Sequence, residues 1–341
     1  MNNHVIITNQ GHAGIILLNR PQALNALDAD MICRIQQAFH DFSDDPKIRH
    51  IILKGAGGKA FCAGADVRQI ASLVTEGKDE EAFEFFENEY RLNRMISLCP
   101  KPVLSLLDGI TMGGGVGLAH HGTYRIASEK YVFAMPEVTI GFFPDVGIAH
   151  ILAHLPKQAG LYLGMTGNSL SLHSAFHLGL VTHRVPSASF SALEEALTES
   201  LNIDDTLKSF VSDDLTVSSD DFQINQDLIE KFFSQETAWN VMDCLKEEAG
   251  KGNSFASATY ELLKKKCPHS LVAAFEHIRT AAHLSLEEVF LRDMILVKKM
   301  IPAHDFAEGV RAQLIDKDKK PCWKPEKLDA SLKEFAQSLF I

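Results

Sequence analysis

Residues 109–122 read GITMGGGVGLAHHG. Gly113, Gly114 and Gly115 stand in a row, and Gly117 follows after one valine. Glycine loses more backbone freedom on folding than any other residue, so such a run needs a physical reason. One reason is close packing of a helix start against a sheet. The other is chemical: bare backbone N–H groups at a helix start can donate to an oxygen that gains negative charge during a reaction. A second turn of small residues, FCAGADV at 61–67, follows a strand-like run and a GAGGKA loop, and it too can expose N–H groups. Two such turns aimed at one carbonyl oxygen would make an oxyanion hole from two loops.

Other chemistries fit less well. A phosphate-binding loop needs GxxxxGK[ST], which is absent, and GGGVG is not a dinucleotide-binding GxGxxG. His120 with His121, and His150 with His154, invite a metal reading, but no HExxH pattern accompanies them. They are read as packed or surface histidines, and no metal is expected. The six cysteines are scattered without a CxxC pair, which suggests reduced thiols and a cytoplasmic protein rather than a disulfide framework. A formal charge of −11 argues against nucleic acid as a partner. No apolar run reaches the roughly 18 to 20 residues of a membrane span, so no membrane is expected. The opening residues resemble neither a secretory signal nor an Arg-rich transit peptide.

The elements that must hold the two turns are legible in the pattern. HVIITNQ and AGIILLN read as a hairpin around a Gly-His turn. Asp28 is placed to cap the helix that follows, where Met31, Ile32, Ile35 and Phe39 recur at helical spacing. HIILKGA is a buried-type strand, EEAFEFFENEYRLNRMISL a helix, and VLSLLDG a strand flanked by Pro100 and Pro102. The glycine run should open a helix, YVFAMP a strand, and IAHILAHL a helix after EVTIGFFPDVG. Strand and helix alternate, which predicts a layered α/β arrangement. Past about residue 185 the character changes. The acidic, Ser-rich stretch 202–227 reads as a surface connection, and helical patterns follow to about residue 300. Ser285 and Glu288 form a capping box there. No internal repeat is visible. The expected division is an α/β core at 1–200 that carries the site and a mainly helical region at 201–341 packed on it.

Four stretches carry a family likeness: LNRPQALNALDADM, GAGGKAFCAGADV, DGITMGGGVGLAHHG and FAMPEVTIGFFPDVG. The chain resembles the crotonase (enoyl-CoA hydratase/isomerase) superfamily. HDFAEGVRAQLIDKDKKPCWKP, at 304–325, points within it to an acyl-CoA hydrolase branch. The resemblance implies an α/β fold, a spiral of ββα units with a helical C-terminal region. It implies an oxyanion hole made by the N–H groups of Ala65 and Gly114, with Ala63 to Asp66 running beside the adenine end of coenzyme A. Glu137 falls where the family places a catalytic glutamate. Asp145 falls where the branch places an aspartate near the acyl group, and Glu89 matches a further substrate-binding acid. A homo-oligomer is a partner that the superfamily's habits allow. No cofactor is implied, since coenzyme A is part of the substrate.

One departure matters. A typical hydratase carries a second catalytic glutamate where this chain has Gly117. Hydration by two glutamates cannot run in the usual way here. A single carboxylate beside a polarised thioester suits hydrolysis, either by attack to give a mixed anhydride or by activating a water. Together with this, the branch resemblance implies hydrolysis of a 3-hydroxyacyl-CoA thioester, 3-hydroxyisobutyryl-CoA foremost. A hydratase or isomerase with rearranged groups and a non-catalytic acyl-CoA-binding protein are the alternatives. Each acid also has a plainer reading from composition alone: Glu137 as a surface acid, Asp145 as a helix N-cap, and Glu89 as a solvated member of an acidic helix.

Overall fold

In the computed structural model, which describes residues 3–212, 215 and 220–341, β1 (Val5–Gln10) and β2 (Ala13–Leu18) form the expected antiparallel hairpin. β2 continues into a six-stranded sheet of order β1-β2-β3-β5-β7-β10. Its remaining members are β3 (His50–Gly55), β5 (Val103–Leu107), β7 (Tyr124–Ala127) and β10 (His183–Arg184). From β2 onward every pairing is parallel. Parallel strands are covered on both faces, which is why HIILKG and VLSLL read as continuous apolar runs. A second sheet has the order β4-β6-β8-β9. It is built from β4 (Ala60–Cys62), β6 (Ile110–Met112), β8 (Val132–Ala134) and β9 (Leu170–Ser171).

The two orders run in step. Each strand pair β3–β4, β5–β6 and β7–β8 sends its first member to the large sheet and its second to the small one, and helical turns follow each pair. This is the ββα repeat of the expected fold class. It is invisible as a sequence repeat because it is defined by hydrogen-bond partners, not by residue identity.

The chain groups into two compact units, one of residues 1–65, 88–133 and 170–220, the other of 66–87, 134–169 and 221–341. In the first, Ile15, Ile52, Leu104, Leu106 and Ile126 of the large sheet pack against Leu193, Leu197 and Leu207. Leu207 lies on a helix, Ile203–Lys208, inside the stretch expected to be a plain surface connection. Asn202 caps it by accepting from Asp205 N, and the buried Leu207, with Ile203 and Phe210 partly buried against the same core, docks it. Residues 213–214 and 216–219 of that stretch lie outside the described residues.

The second unit is mainly helical. The helix Ala159–Thr166 is buried on every side, and Gly160 and Gly164 let Leu152 and Ile278 approach it. The helix expected over IAHILAHL is short, Ile148–Leu152, and Leu155 leads into a turn at Pro156. Ser285 and Glu288 form the expected capping box. Among the described residues no helix is long and apolar enough to cross a membrane.

Candidate active site

β4 and β6 pair in parallel, with Ala60 opposite Ile110 and Cys62 opposite Thr111. The two small-residue turns therefore leave the same end of the small sheet, which is what an oxyanion hole from two loops requires. Gly64 (φ 107°) and Gly113 (φ 49°) take backbone conformations that L side chains rarely adopt. The glycine run has more than one reason. A Cβ at Gly115 would strike the carbonyl of Cys62, so this glycine serves close packing. A Cβ at Gly114 would overlap the Glu89 carboxylate and stand 3.4 Å from Ala65 N. Ala65, Gly114 and Glu89 thus converge, and Gly114 heads the helix Gly114–His120, whose first N–H groups have no partner within the helix.

Glu89 is 1% exposed, so it is not the solvated acid that its helix, Asp79–Ser97, suggests. Ala63 N donates to Leu24 O at 3.0 Å and Leu27 N to Gly64 O at 2.8 Å, tying the 63–65 turn to the segment before Asp28. Asn25, fully buried, donates to Ala56 O and Ala60 O, both at 2.9 Å, while its own oxygen accepts from Arg20 N. It ties down the loop that leads into β4, a support that sequence reasoning missed although Asn25 stands in the LNALD motif. Asp66 occupies the N-cap position of the helix Val67–Thr75 without a side-chain capping bond.

Glu137 and Asp145 belong to the second unit. Glu137 opens a 3-10 turn, Glu137–Thr139, and is 7% exposed, which overturns the surface-acid reading. Two bonds dock that turn: Cys267 N donates to Val138 O at 3.2 Å, and Lys266 Nζ to Thr139 Oγ1 at 2.7 Å. Burial pulls the Lys266 ammonium down to about 8. Asp145 is 4% exposed and is not the helix cap. The following helix has Gly147 at its N-cap, with no side-chain capping bond. Asp145 O accepts from Ile148 N at 3.0 Å across a tight turn whose central residues, Val146 and Gly147, have φ of 53° and 73°. A β-branched residue held there costs on the order of 1–3 kcal/mol and persists only where its surroundings enforce it.

The histidines singled out for metal are otherwise engaged. His120 is buried between Val116 O and Tyr131 Oη, at 3.2 and 3.3 Å, and desolvation lowers it to about 3. His150 Nδ1 contacts Leu284 O at 3.1 Å, and His154 Nδ1 contacts His150 O at 2.7 Å. Among the described residues no group of three or more His, Cys, Asp and Glu could hold a metal ion.

A profile of the enoyl-CoA hydratase/isomerase family matches residues 13–340. The mitochondrial 3-hydroxyisobutyryl-CoA hydrolase of Xenopus laevis is 42% identical, over 100% of this chain and 91% of its own length. The human protein of the same name is 39% identical, over 98% and 86%. Among solved structures, a carnitinyl-CoA dehydratase from Mycobacterium thermoresistibile superposes with a TM-score of 0.92 at 30% identity, covering 100% of this chain and 97% of the other. An enoyl-CoA hydratase from Rhodobacter sphaeroides 2.4.1 gives 0.88 at 31%, covering 99% and 97%. The word mitochondrial in the relatives' names overturns the cytoplasmic expectation. Scattered thiols argue against a disulfide framework but do not distinguish one reducing compartment from another.

Proposed function

Because the chain belongs to the enoyl-CoA hydratase/isomerase family, we propose that it hydrolyses 3-hydroxyisobutyryl-CoA to 3-hydroxyisobutyrate and free coenzyme A. The observation that carries this is the full-length identity, about 40%, to relatives named for that reaction. Gly117 supports it, since the chain has no side chain where a hydratase carries its second glutamate.

In this reading the thioester oxygen accepts from Ala65 N–H and Gly114 N–H as the carbonyl carbon becomes tetrahedral. Glu137 does the carboxylate chemistry by one of two routes. It attacks the carbonyl carbon, expels the thiolate and leaves a mixed anhydride for water to open, or it takes a proton from the water that attacks. Either route consumes one water: its oxygen enters the product directly when water attacks the acyl carbon, or replaces the Glu137 oxygen that the product carries away when water opens the anhydride at the glutamyl carbon, and the sulfur leaves as coenzyme A thiol. Asp145 bonds the acyl hydroxyl, Glu89 is the substrate-binding acid against Gly114, and Ala63 to Asp66 line the adenine end. No cofactor enters the balance. Self-association, as is common in the superfamily, belongs to the same reading and is measured by light scattering.

The test is free-thiol release from 3-hydroxyisobutyryl-CoA, 3-hydroxypropionyl-CoA, isobutyryl-CoA and crotonyl-CoA. A site that bonds a hydroxyl rejects the analogue lacking it by as much as about 10⁴-fold, because its own polar groups are left unpaired. The hydroxylated thioesters should therefore lead in kcat/KM. Equal rates for hydroxylated and plain acyl groups would reduce the protein to a generic thioesterase. Loss of enoyl absorbance without thiol release would make it a hydratase, and binding without turnover an acyl-CoA-binding protein.

A further inference from the structure

The turn that carries Asp145 is held from far along the chain. Asp293, on the helix Leu286–Met300, is fully buried. One of its carboxylate oxygens accepts from Gly147 N at 2.7 Å, and the other meets His277 Nε2 at 2.6 Å. A carboxylate can only accept, so the hydrogen sits on the imidazole nitrogen. His277, on the helix Pro268–Ala281, is also fully buried, with Phe143 edge-on and Phe340 tilted against its ring, each at 5.8 Å between centroids. A buried carboxylate is costly unless donors meet its oxygens, and here one donor meets each.

What this pair holds is backbone that the local sequence disfavours. Val146 is left-handed in spite of its β-branch, and Gly147 beside it is left-handed too. The ring of Phe290 and the end of Leu286, from the same helix as Asp293, fill the space that a side chain at Gly147 would need. That helix therefore supplies both a wall and an acceptor to the turn.

We propose that His277 and Asp293 are positioning residues for substrate selection. His277 orients the Asp293 carboxylate, Asp293 holds the Gly147 N–H, and the left-handed turn so fixed aims Asp145 at the acyl hydroxyl. The inference rests on the proposed role of Asp145. Its signature is discrimination between acyl groups, with hydrolysis itself left in place.

The experiment compares kcat/KM for 3-hydroxyisobutyryl-CoA and isobutyryl-CoA in the full chain and in Asp145→Ala, Asp293→Ala, Asp293→Asn and His277→Phe, each first shown to be folded. Asp293→Ala should narrow the ratio about 10- to 100-fold, the scale for a misplaced positioning group, mainly by slowing the hydroxylated substrate. Asp293→Asn keeps an oxygen for Gly147 N–H and should retain most of the ratio. The Asp145→Ala, Asp293→Ala double variant should lose little beyond Asp145→Ala, because the two act on one contact. A loss shared equally by both substrates, or no recovery in Asp293→Asn, overturns the proposal. If Asp293→Ala does not fold, His277→Phe decides. It removes one donor while filling the same space, and an unchanged ratio there overturns the proposal. An unchanged ratio in Asp145→Ala refutes the role of Asp145 itself. A ratio narrowed in Asp145→Ala but not in Asp293→Ala refutes only the inference drawn here.

Discussion

The carboxylate of Glu89 fills the space that a side chain at Gly114 would occupy. The glycine turn and a buried acid from a distant helix are thus fitted to each other. Gly114→Ala should therefore do harm through Glu89. Overpacking costs of this kind run to about 1–3 kcal/mol, and the displaced carboxylate should lower kcat/KM as well. In a Glu89→Ala background the stability cost of Gly114→Ala should shrink. Urea midpoints for the two single variants and the double variant measure the coupling, and additive costs would show that the two residues do not interact.

Glu137→Gln should abolish hydrolysis while substrate still binds. The amide has nearly the same shape but is neither a good base nor a good nucleophile, and general acid–base groups contribute about 10²- to 10⁴-fold. Steady-state kinetics beside equilibrium binding of 3-hydroxyisobutyryl-CoA separate the two effects. Turnover within a few-fold of wild type, in protein checked for deamidation, would remove Glu137 from the mechanism.

His120 should make the fold sensitive to acid. Its folded value of about 3 lies below the ordinary 6.5 because desolvation disfavours the cation. The unfolded chain therefore binds more protons below pH 6.5, and stability is lost from there down to about pH 3, by up to roughly 5 kcal/mol. His120→Gln cannot charge. Its stability relative to wild type should rise steadily between pH 7 and pH 4, as read from urea midpoints. A constant difference across that range would contradict the assignment.

Lys266 should have the opposite working range. Burial lowers it to about 8 from 10.5, so a charged Lys266 opposes folding below pH 8, and that opposition fades as pH approaches 10.5. The whole effect is about 3 kcal/mol. Lys266→Met removes the buried charge but leaves Thr139 without its donor. Relative to wild type, its Tm should be most favourable near pH 7 and should decline toward pH 10. A Tm difference independent of pH would place the ammonium in contact with solvent.

The sequence by itself determined what a few neighbouring residues can decide. The Gly-His hairpin, the Asp28 cap, the Ser285–Glu288 capping box and the glycine turns after short strands were all legible, because each is settled within one turn of chain. The helix Ile203–Lys208 was within reach too, through the Asn202 to Asp205 spacing, but the acidic composition around it hid the signal. Family likeness carried the residues named for the site. Only the tertiary structure decided which acids are buried. Glu89 is one of many in its helix, and nothing in that helix marks it as the acid turned toward Gly114. Only the pairing of β4 with β6 brought the two small-residue turns to one end of a sheet. The left-handed Val146 runs against its own propensity, and the next residue, Gly147, is bonded to Asp293, 146 residues further along the chain. Local propensity is worth about a kilocalorie per residue. Burial and paired buried polar groups are worth more, and long-range packing therefore overrides local preference at the positions that carry the proposed chemistry.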